Sequence, residues 1–313
     1  MNKIKQLSLI LLLLAGPASA SEPSVPIRWG VFKNYQPVFV ADAMGYFKDE
    51  GLEVDLVGSF TSGPATIQAA AADQIDAGHS AISGIVNAVS AGIGVEGVAD
   101  LQTEFADAPL MQWFVREDSS IRGPADLKGK TIGINSLSGS FYAALLSYLQ
   151  QAGLGKDDVK LAIIPHNNQE QALRSGQIDV AGIIDPYTAL IQKEGHVRKL
   201  FTGYDVLGEK QFSLMFFRKE FVAQHPDEVR HFLRAYRRAI AYIKSNPEQA
   251  SSIMQRAIGI TADLKGVHEY TANAQVRMKD VDYWITRMHA DGELREGADI
   301  SATDVATNAF SDD

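Results

Sequence analysis

Gln74-Ile75-Asp76-Ala77-Gly78 and Gln177-Ile178-Asp179-Val180-Ala181-Gly182 are two versions of one phrase, and the chain around each repeats as well. Residues 27–82 and 131–187 follow one order. An apolar strand (IRWGVF; TIGIN) leads to a polar loop and a helix closing on Gly-Leu (Gly51-Leu52; Gly153-Leu154), then a second strand, a short helix and the return phrase. The shift is 102 residues from Gly51 to Gly153 and 103 from Gln74 to Gln177, so few insertions separate the copies. A period this long is too large for a solenoid and suits two similar α/β domains. Chance likeness between two βαβ units is the alternative.

Outside the repeat the same alternation continues. Strand-like runs fall at 27–32, 52–58, 110–115, 131–135, 161–165, 180–184 and 212–217. Helix-like runs fall at 38–47, 66–72, 141–151, 169–174 and 226–244. Alternation of this kind packs helices on mostly parallel sheets. The polar Gly/Pro run 119–129 (SSIRGPADLKG) reads as a first crossing between domains and 203–211 (GYDVLGEKQ) as the return. The expected organisation is a signal at 1–20, lobe I from 21–118 plus 212–313, and lobe II from 119–211. Two crossings form a hinge about which lobes open and close.

The composition narrows the function. The 313 residues include 29 Lys+Arg and 38 Asp+Glu, a formal charge of −9, with 46% apolar and 21% charged residues. That is a core-forming chain long enough for two domains. Its acidic excess argues against a nucleic-acid partner, whose phosphates need a basic face. With no cysteine, disulfides, thiolate metal sites, Fe–S clusters and cysteine nucleophiles are excluded. No cofactor and no metal site are expected.

Lys3 and Lys5 precede an apolar run at 7–14 and then Ala18-Ser19-Ala20. The three parts read as a secretory signal cut after Ala20; a spanning helix would need about 20 apolar residues. Ser21, where a lipoprotein would carry cysteine, points to a soluble, unanchored protein exported to a periplasm.

In open α/β sheets, ligands sit beyond the carboxyl ends of the strands, where helix N-termini present free N–H groups. Six loops take those positions: 33–36, 59–64 and 79–83 in one repeat, 136–140, 166–168 and 185–187 in the other. Ser59, Thr61, Ser62 and Gly63 lead into one helix, and Ser136, Ser138, Gly139 and Ser140 into another. Small hydroxyls and glycine let backbone amides approach an anion, although Ser and Thr are also ordinary N-caps. Two such loops at equivalent ends of two repeats favour an oxyanion pocket.

Lys33 is the one formal cation in these loops, and there is no arginine. A phosphate ester would usually be met by arginine forks, so a singly charged oxyanion held by neutral donors fits better. Asp185 before Pro186 reads as a helix cap or, facing the cleft, as a partner for a ligand amine. His79, with Ser80 beside it, and His166 are loop histidines, structural or ligating, with no spacing for a metal. Tyr35 and Tyr187 are walls for an apolar ligand part or pack at the loop bases; Asn34 and Gln36 complete the first loop.

Two motifs are decoys. Gly92-Ile93-Gly94-Val95-Glu96-Gly97 matches G-x-G-x-x-G but follows a helix and precedes a strand, the reverse of the dinucleotide fingerprint. Gly129-Lys130-Thr131 lacks the upstream glycine of a P-loop, having Pro124 there, and precedes its strand. Arg230, Arg234 and Arg237 share one face of a helix whose other face carries Val229, Leu233, Tyr236 and Ile240. This is an amphipathic surface helix, with a membrane partner as the alternative use of its charge.

The chain resembles the periplasmic solute-binding proteins of ABC importers, in the branch covering aliphatic sulfonates, taurine, nitrate and pyrimidine thiamine precursors. The matching stretches are Gly45-Tyr46-Phe47-Lys48-Asp49-Glu50-Gly51-Leu52, Asp126-Leu127-Lys128-Gly129-Lys130, Gly176-Gln177-Ile178-Asp179, Asp185-Pro186-Tyr187, His225-Pro226 and Asn246-Pro247-Glu248, in family order across most of residues 25–250. The resemblance implies a type II-like two-lobed clamshell, monomeric, that hands a small anionic or zwitterionic solute to a permease coupled to an ATPase. It carries over loops 59–64 and 136–140 as oxyanion contacts, with 79–80 and 185–187 nearby. Loop Lys33-Asn34-Tyr35-Gln36 matches no single ligand class, and the cysteine cluster of the related fungal pyrimidine-synthesising enzymes is absent. Three functions follow in descending order: a binder of a sulfonate, taurine or nitrate; a binder of a pyrimidine or other aromatic nutrient, which needs stacking rings; and an enzyme, which needs a nucleophile–base pair or metal set.

Overall fold

The computed structural model describes residues 25–262, 264, 268–294 and 297–311. The expected signal, residues 1–20, lies outside the described residues. Ten strands form two five-stranded sheets. They are β1 Ile27–Phe32, β2 Val54–Phe60, β3 Ala77–Ala81, β4 Val95–Glu104, β5 Gln112–Arg116, β6 Thr131–Ile134, β7 Lys160–Ile163, β8 Val180–Ile183, β9 Val197–Thr202 and β10 Lys210–Arg218. The orders are β2-β1-β3-β10-β4 and β7-β6-β8-β5-β9. In each, three parallel strands are followed by an antiparallel one, β10 against β3 and β4, and β5 against β8 and β9. The fold is a two-lobed α/β structure.

The repeat has a physical basis in equivalent contacts. The Asp76 carboxylate accepts from the Arg28 backbone N–H at 3.0 Å, and the Asp179 carboxylate from Thr131 N–H at 2.8 Å, each 48 residues apart. A Cβ on Gly30 would stand 2.6 Å from Ile75 Cδ1, and one on Gly133 would stand 2.7 Å from Ile178 Cδ1. The repeated Ile-Asp therefore packs on, and ties down, the first strand of its own lobe. These residues build the frame.

One expectation is corrected. The apolar run expected to end lobe I is β5, and it pairs with β8 and β9 of the second sheet. The chain therefore crosses at 105–111 and returns at 203–209. The segment 119–129 is a loop inside the second lobe, with Ile121 and Leu127 buried in its core. Its Gly and Pro residues mark a surface turn, and nothing local to β5 says which sheet it joins. Each crossing thus delivers the antiparallel strand of the sheet it enters.

The crossings are knotted together by Glu104, fully buried at the end of β4. Its carboxyl accepts from Leu110 N–H at 2.9 Å and Met111 N–H at 2.8 Å, while Gly203 N–H donates to the Met111 carbonyl at 2.8 Å. A Cβ at Gly203 would overlap the Glu104 carboxyl oxygen. Helix Met278–Ala290 is fastened to the start of β10 by Trp284 Nε1–H donating to the Gln211 carbonyl at 2.7 Å and by Asp280 accepting from Gln211 N–H at 3.0 Å. From there Arg287 reaches the second lobe, donating to Ser147 Oγ at 3.0 Å and Gln150 Oε1 at 3.4 Å. Among the described residues no helix is long and apolar enough to cross a membrane.

Candidate functional site

The carboxyl ends of β1, β3, β6 and β8 meet at a cavity of ≈ 50 Å³ between the lobes. Its walls include Asn34, Gly63, Pro64, His79, Ser80, Ala81 and Gln102 from the first lobe, and Asn135, Ser136, Ser138, Gly139, Ser140 and His166 from the second. No residue lining it is a Lys, Arg, Asp or Glu. Four helices begin at this wall, Gly63–Ala71, Ile82–Ser90, Ser140–Gln150 and His166–Arg174, each bringing the positive end of its dipole.

Four buried polar atoms without a partner belong to residues of this wall: Asn34 Nδ2, His79 Nδ1, Ser80 Oγ and Gln102 Nε2. A buried donor without an acceptor costs about 1–3 kcal/mol, so this cluster is an unfavourable one as it stands. The orientation of Asn34 is fixed from behind. Gln36 Nε2 donates to Asn34 Oδ1 at 2.9 Å and to the Phe32 carbonyl at 2.6 Å, while Trp29 Nε1 donates to Gln36 Oε1 at 3.2 Å. Gln36, itself buried, thus positions the Asn34 amide and does not line the cavity. Ser80 Oγ sits where Gly63 and Gly84 leave room, since a Cβ on Gly63 would overlap it and one on Gly84 would lie at 2.5 Å. On the second lobe, Gly139 has φ +99, which only glycine adopts readily; a Cβ there would lie 3.5 Å from Ala81 Cβ across the cleft. The lobes are closed on each other at this point.

Both histidines of the wall are neutral at pH 7. Burial lowers His79 to about 3; burial also lowers His166 to about 4, opposed by its Nδ1–H donating to the Gly182 carbonyl at 2.9 Å. An unfolded chain takes up these two protons near 6.5, which the native protein refuses until far lower pH. Stability is therefore expected to fall as pH drops from 6.5 toward 4, with a smaller fall in His79→Gln. Urea denaturation across that range checks it; a pH-independent midpoint would contradict the burial of both rings.

A second cavity of ≈ 130 Å³ adjoins the first, with Phe32 and His166 lining both. Lys33, Ser59, Phe60, Thr61, Pro165, Asn167 and Tyr187 complete it. The Tyr187 hydroxyl, kept protonated because burial raises it to about 12, donates to the Lys33 carbonyl at 3.0 Å across the cleft mouth.

Besides Gln36, three sequence candidates stand apart from both cavities. Ser62 caps its helix, Oγ accepting from Ala65 N–H at 3.4 Å. Tyr35 turns away to bond Ser251 Oγ at 3.2 Å and, with Asp185, lines a separate cavity of ≈ 340 Å³ beside Asp107 and Gln112. Asp185 is not the helix cap: the helix starts at Tyr187, Pro186 precedes it, and no side-chain cap bond forms. Burial raises the Asp185 carboxyl to about 7. Sequence reasoning missed Gln102, Asn135, Phe32 and Phe60. Gln102 is a polar residue inside a buried strand, which is itself a signal; the others look like ordinary strand and loop positions.

A family model described as NMT1/THI5 like matches residues 33–250. A putative binding protein of Brucella abortus is 29% identical over 261 residues, covering 81% of this chain and 78% of that protein. A putative aliphatic sulfonates-binding protein of Bacillus subtilis is 28% identical over 232 residues, covering 72% of this chain and 68% of that one. The solved alkanesulfonate-binding protein of Xanthomonas axonopodis, bound to MOPS, superposes with a TM-score of 0.75 at 20% identity, over 92% of this chain and 100% of that one. This last likeness is one of fold.

Proposed function

Because the chain belongs to the NMT1/THI5-like family, we propose that it is the solute-binding component of an ABC uptake system, holding a small oxyanion in the inter-lobe cavity for delivery to a membrane permease. The observation that carries this reading is the surplus of donors. Asn34 Nδ2, Gln102 Nε2 and Ser80 Oγ are buried and unpartnered around a wall that carries no formal charge and receives four helix N-termini. A group that only accepts hydrogen bonds and bears negative charge satisfies them all. The B. subtilis relative named for aliphatic sulfonates supports a sulfonate-type head, with taurine and nitrate in the same class. The ligand is captured and released unchanged, and the periplasm is the compartment that fits such delivery.

Thermal denaturation of the mature protein tests the reading. A true ligand at 100 times its dissociation constant adds about 2.7 kcal/mol of stability. Sulfonates, taurine or nitrate should raise the midpoint; no response to any oxyanion defeats the proposal, as does chemical turnover of a bound one. Because both wall histidines are neutral, affinity is expected to vary less than about threefold between pH 6 and 8. A steep rise toward acid would instead mean that a histidine carries the charge.

A further inference from the structure

Resting on that reading of the deep cavity, we propose that the oxyanion recognised by this protein is carried on an aromatic ring, which fills the second cavity. The deep cavity, at ≈ 50 Å³, has room for one head group and little else. The adjoining one, at ≈ 130 Å³, approaches the engineered apolar cavity of about 150 Å³ that binds benzene. The two abut at Phe32 and His166, which line both, and a short ligand that passes between these side chains places its head group in one and its ring in the other.

The second cavity offers ring faces from both lobes. Phe32 and Phe60 come from the first lobe, and Tyr187 and Pro165 from the second. Phe60 is held by two glycines: a Cβ on Gly30 would lie 3.2 Å from its Cε2, and one on Gly58, at φ +70, would lie 3.1 Å away. Phe32 is steadied edge-on against the His79 ring, centroids 5.0 Å apart and planes at 84°. Tyr187 is fixed at its hydroxyl by the Lys33 carbonyl. The slot's width is therefore set before a ligand arrives. A planar ring gains edge and face contacts there that an alkyl chain lacks, and it loses no rotor freedom on entering. The remaining groups, Ser59, Thr61 and Asn167 with Lys33, are polar and tolerate a ring substituent at that end.

Isothermal titration with benzenesulfonate, cyclohexanesulfonate, butanesulfonate and nitrate decides it. The expected result is benzenesulfonate binding at least about tenfold tighter than either saturated sulfonate. In Phe60→Leu, and separately in Phe32→Leu should the first fold poorly, that ratio should shrink below about threefold. Equal affinity for benzenesulfonate and cyclohexanesulfonate would overturn the aromatic assignment and leave the oxyanion function standing. An unchanged ratio in both variants would also overturn it. Failure of every anion to bind would instead bring down the underlying function and this inference with it.

Discussion

Gly63→Val is expected to weaken oxyanion binding on the order of 100-fold, about 2.8 kcal/mol, with a smaller loss of fold stability. A Cβ at this position would overlap Ser80 Oγ and would stand 2.9 Å from Ser80 Cα. The obstacle includes backbone, because Ser80 is paired with Leu214 in β3 and its carbonyl accepts from Ser213 Oγ at 3.1 Å. A flexible side chain could swing aside, but this strand cannot. The helix that starts at Gly63 must then back away, taking its N-terminal amides from the cavity. Overpacking of this kind typically costs about 1–3 kcal/mol of stability, less than a domain's total, so the variant should fold and fail to bind. Titration calorimetry beside urea denaturation separates the two effects. A dissociation constant within threefold of the parent would mean that this helix start does not face the ligand.

The largest stability effect is expected at Asp76. Its carboxylate is buried and accepts from Arg28 N–H at 3.0 Å, Arg28 Nε at 2.8 Å, Arg28 Nη2 at 2.8 Å and Arg218 Nη2 at 2.7 Å. Asp76→Ala leaves the strand-opening amide of Arg28 without its acceptor and reduces the Arg28 and Arg218 guanidiniums to their pairing with the exposed Asp73, and should cost about 2–4 kcal/mol. Asp179→Ala, its counterpart in the other lobe, gives up the Thr131 amide bond; among the described residues no arginine pairs with Asp179, and the change should cost about 1–2 kcal/mol. Burial alone would raise the Asp76 carboxyl; the Arg28 and Arg218 bonds outweigh it and hold the group below the ordinary 3.8. Its contribution is therefore complete above pH 4 and is lost as pH falls through the lowered value, a dependence Asp76→Ala should lack. Equal costs for the two aspartates would contradict the unequal networks.

This pair also shows why the repeat was legible. Ile-Asp and the glycines Gly30 and Gly133 recur because each lobe needs a close strand contact and one carboxylate on the first strand's amide, demands written in local residue types. The strand-end loops were legible as loops for a similar reason, since glycine and serine crowd where elements pack closely, as Gly63 and Gly84 do around Ser80. Strand β4 was legible only as a strand entered from the glycine run 92–97; its length and burial were not, because Asp100, Gln102, Thr103 and Glu104 are buried there and a polar run imitates a surface. Strand β9, with Arg198 and Lys199 in its middle, is hidden in the same way. The sheet that β5 joins, the outward turn of Tyr35 and the ring slot around Phe60 depend on partners distant in the chain. No window of sequence contains them.

The bridge from Arg287 to Ser147 and Gln150 has a mechanical corollary. Helix Met278–Ala290 is bolted to β10 where the return crossing ends, so this bridge adds a third attachment near the two covalent ones. In the proposed binding cycle, three attachments between the lobes leave them few ways to move, because any sliding or twisting has to strain all of them at once. In the same cycle, opening the cleft has to break the exposed Tyr187–Lys33 bond at its mouth, so loss of this one contact is expected to shorten the time a solute stays inside.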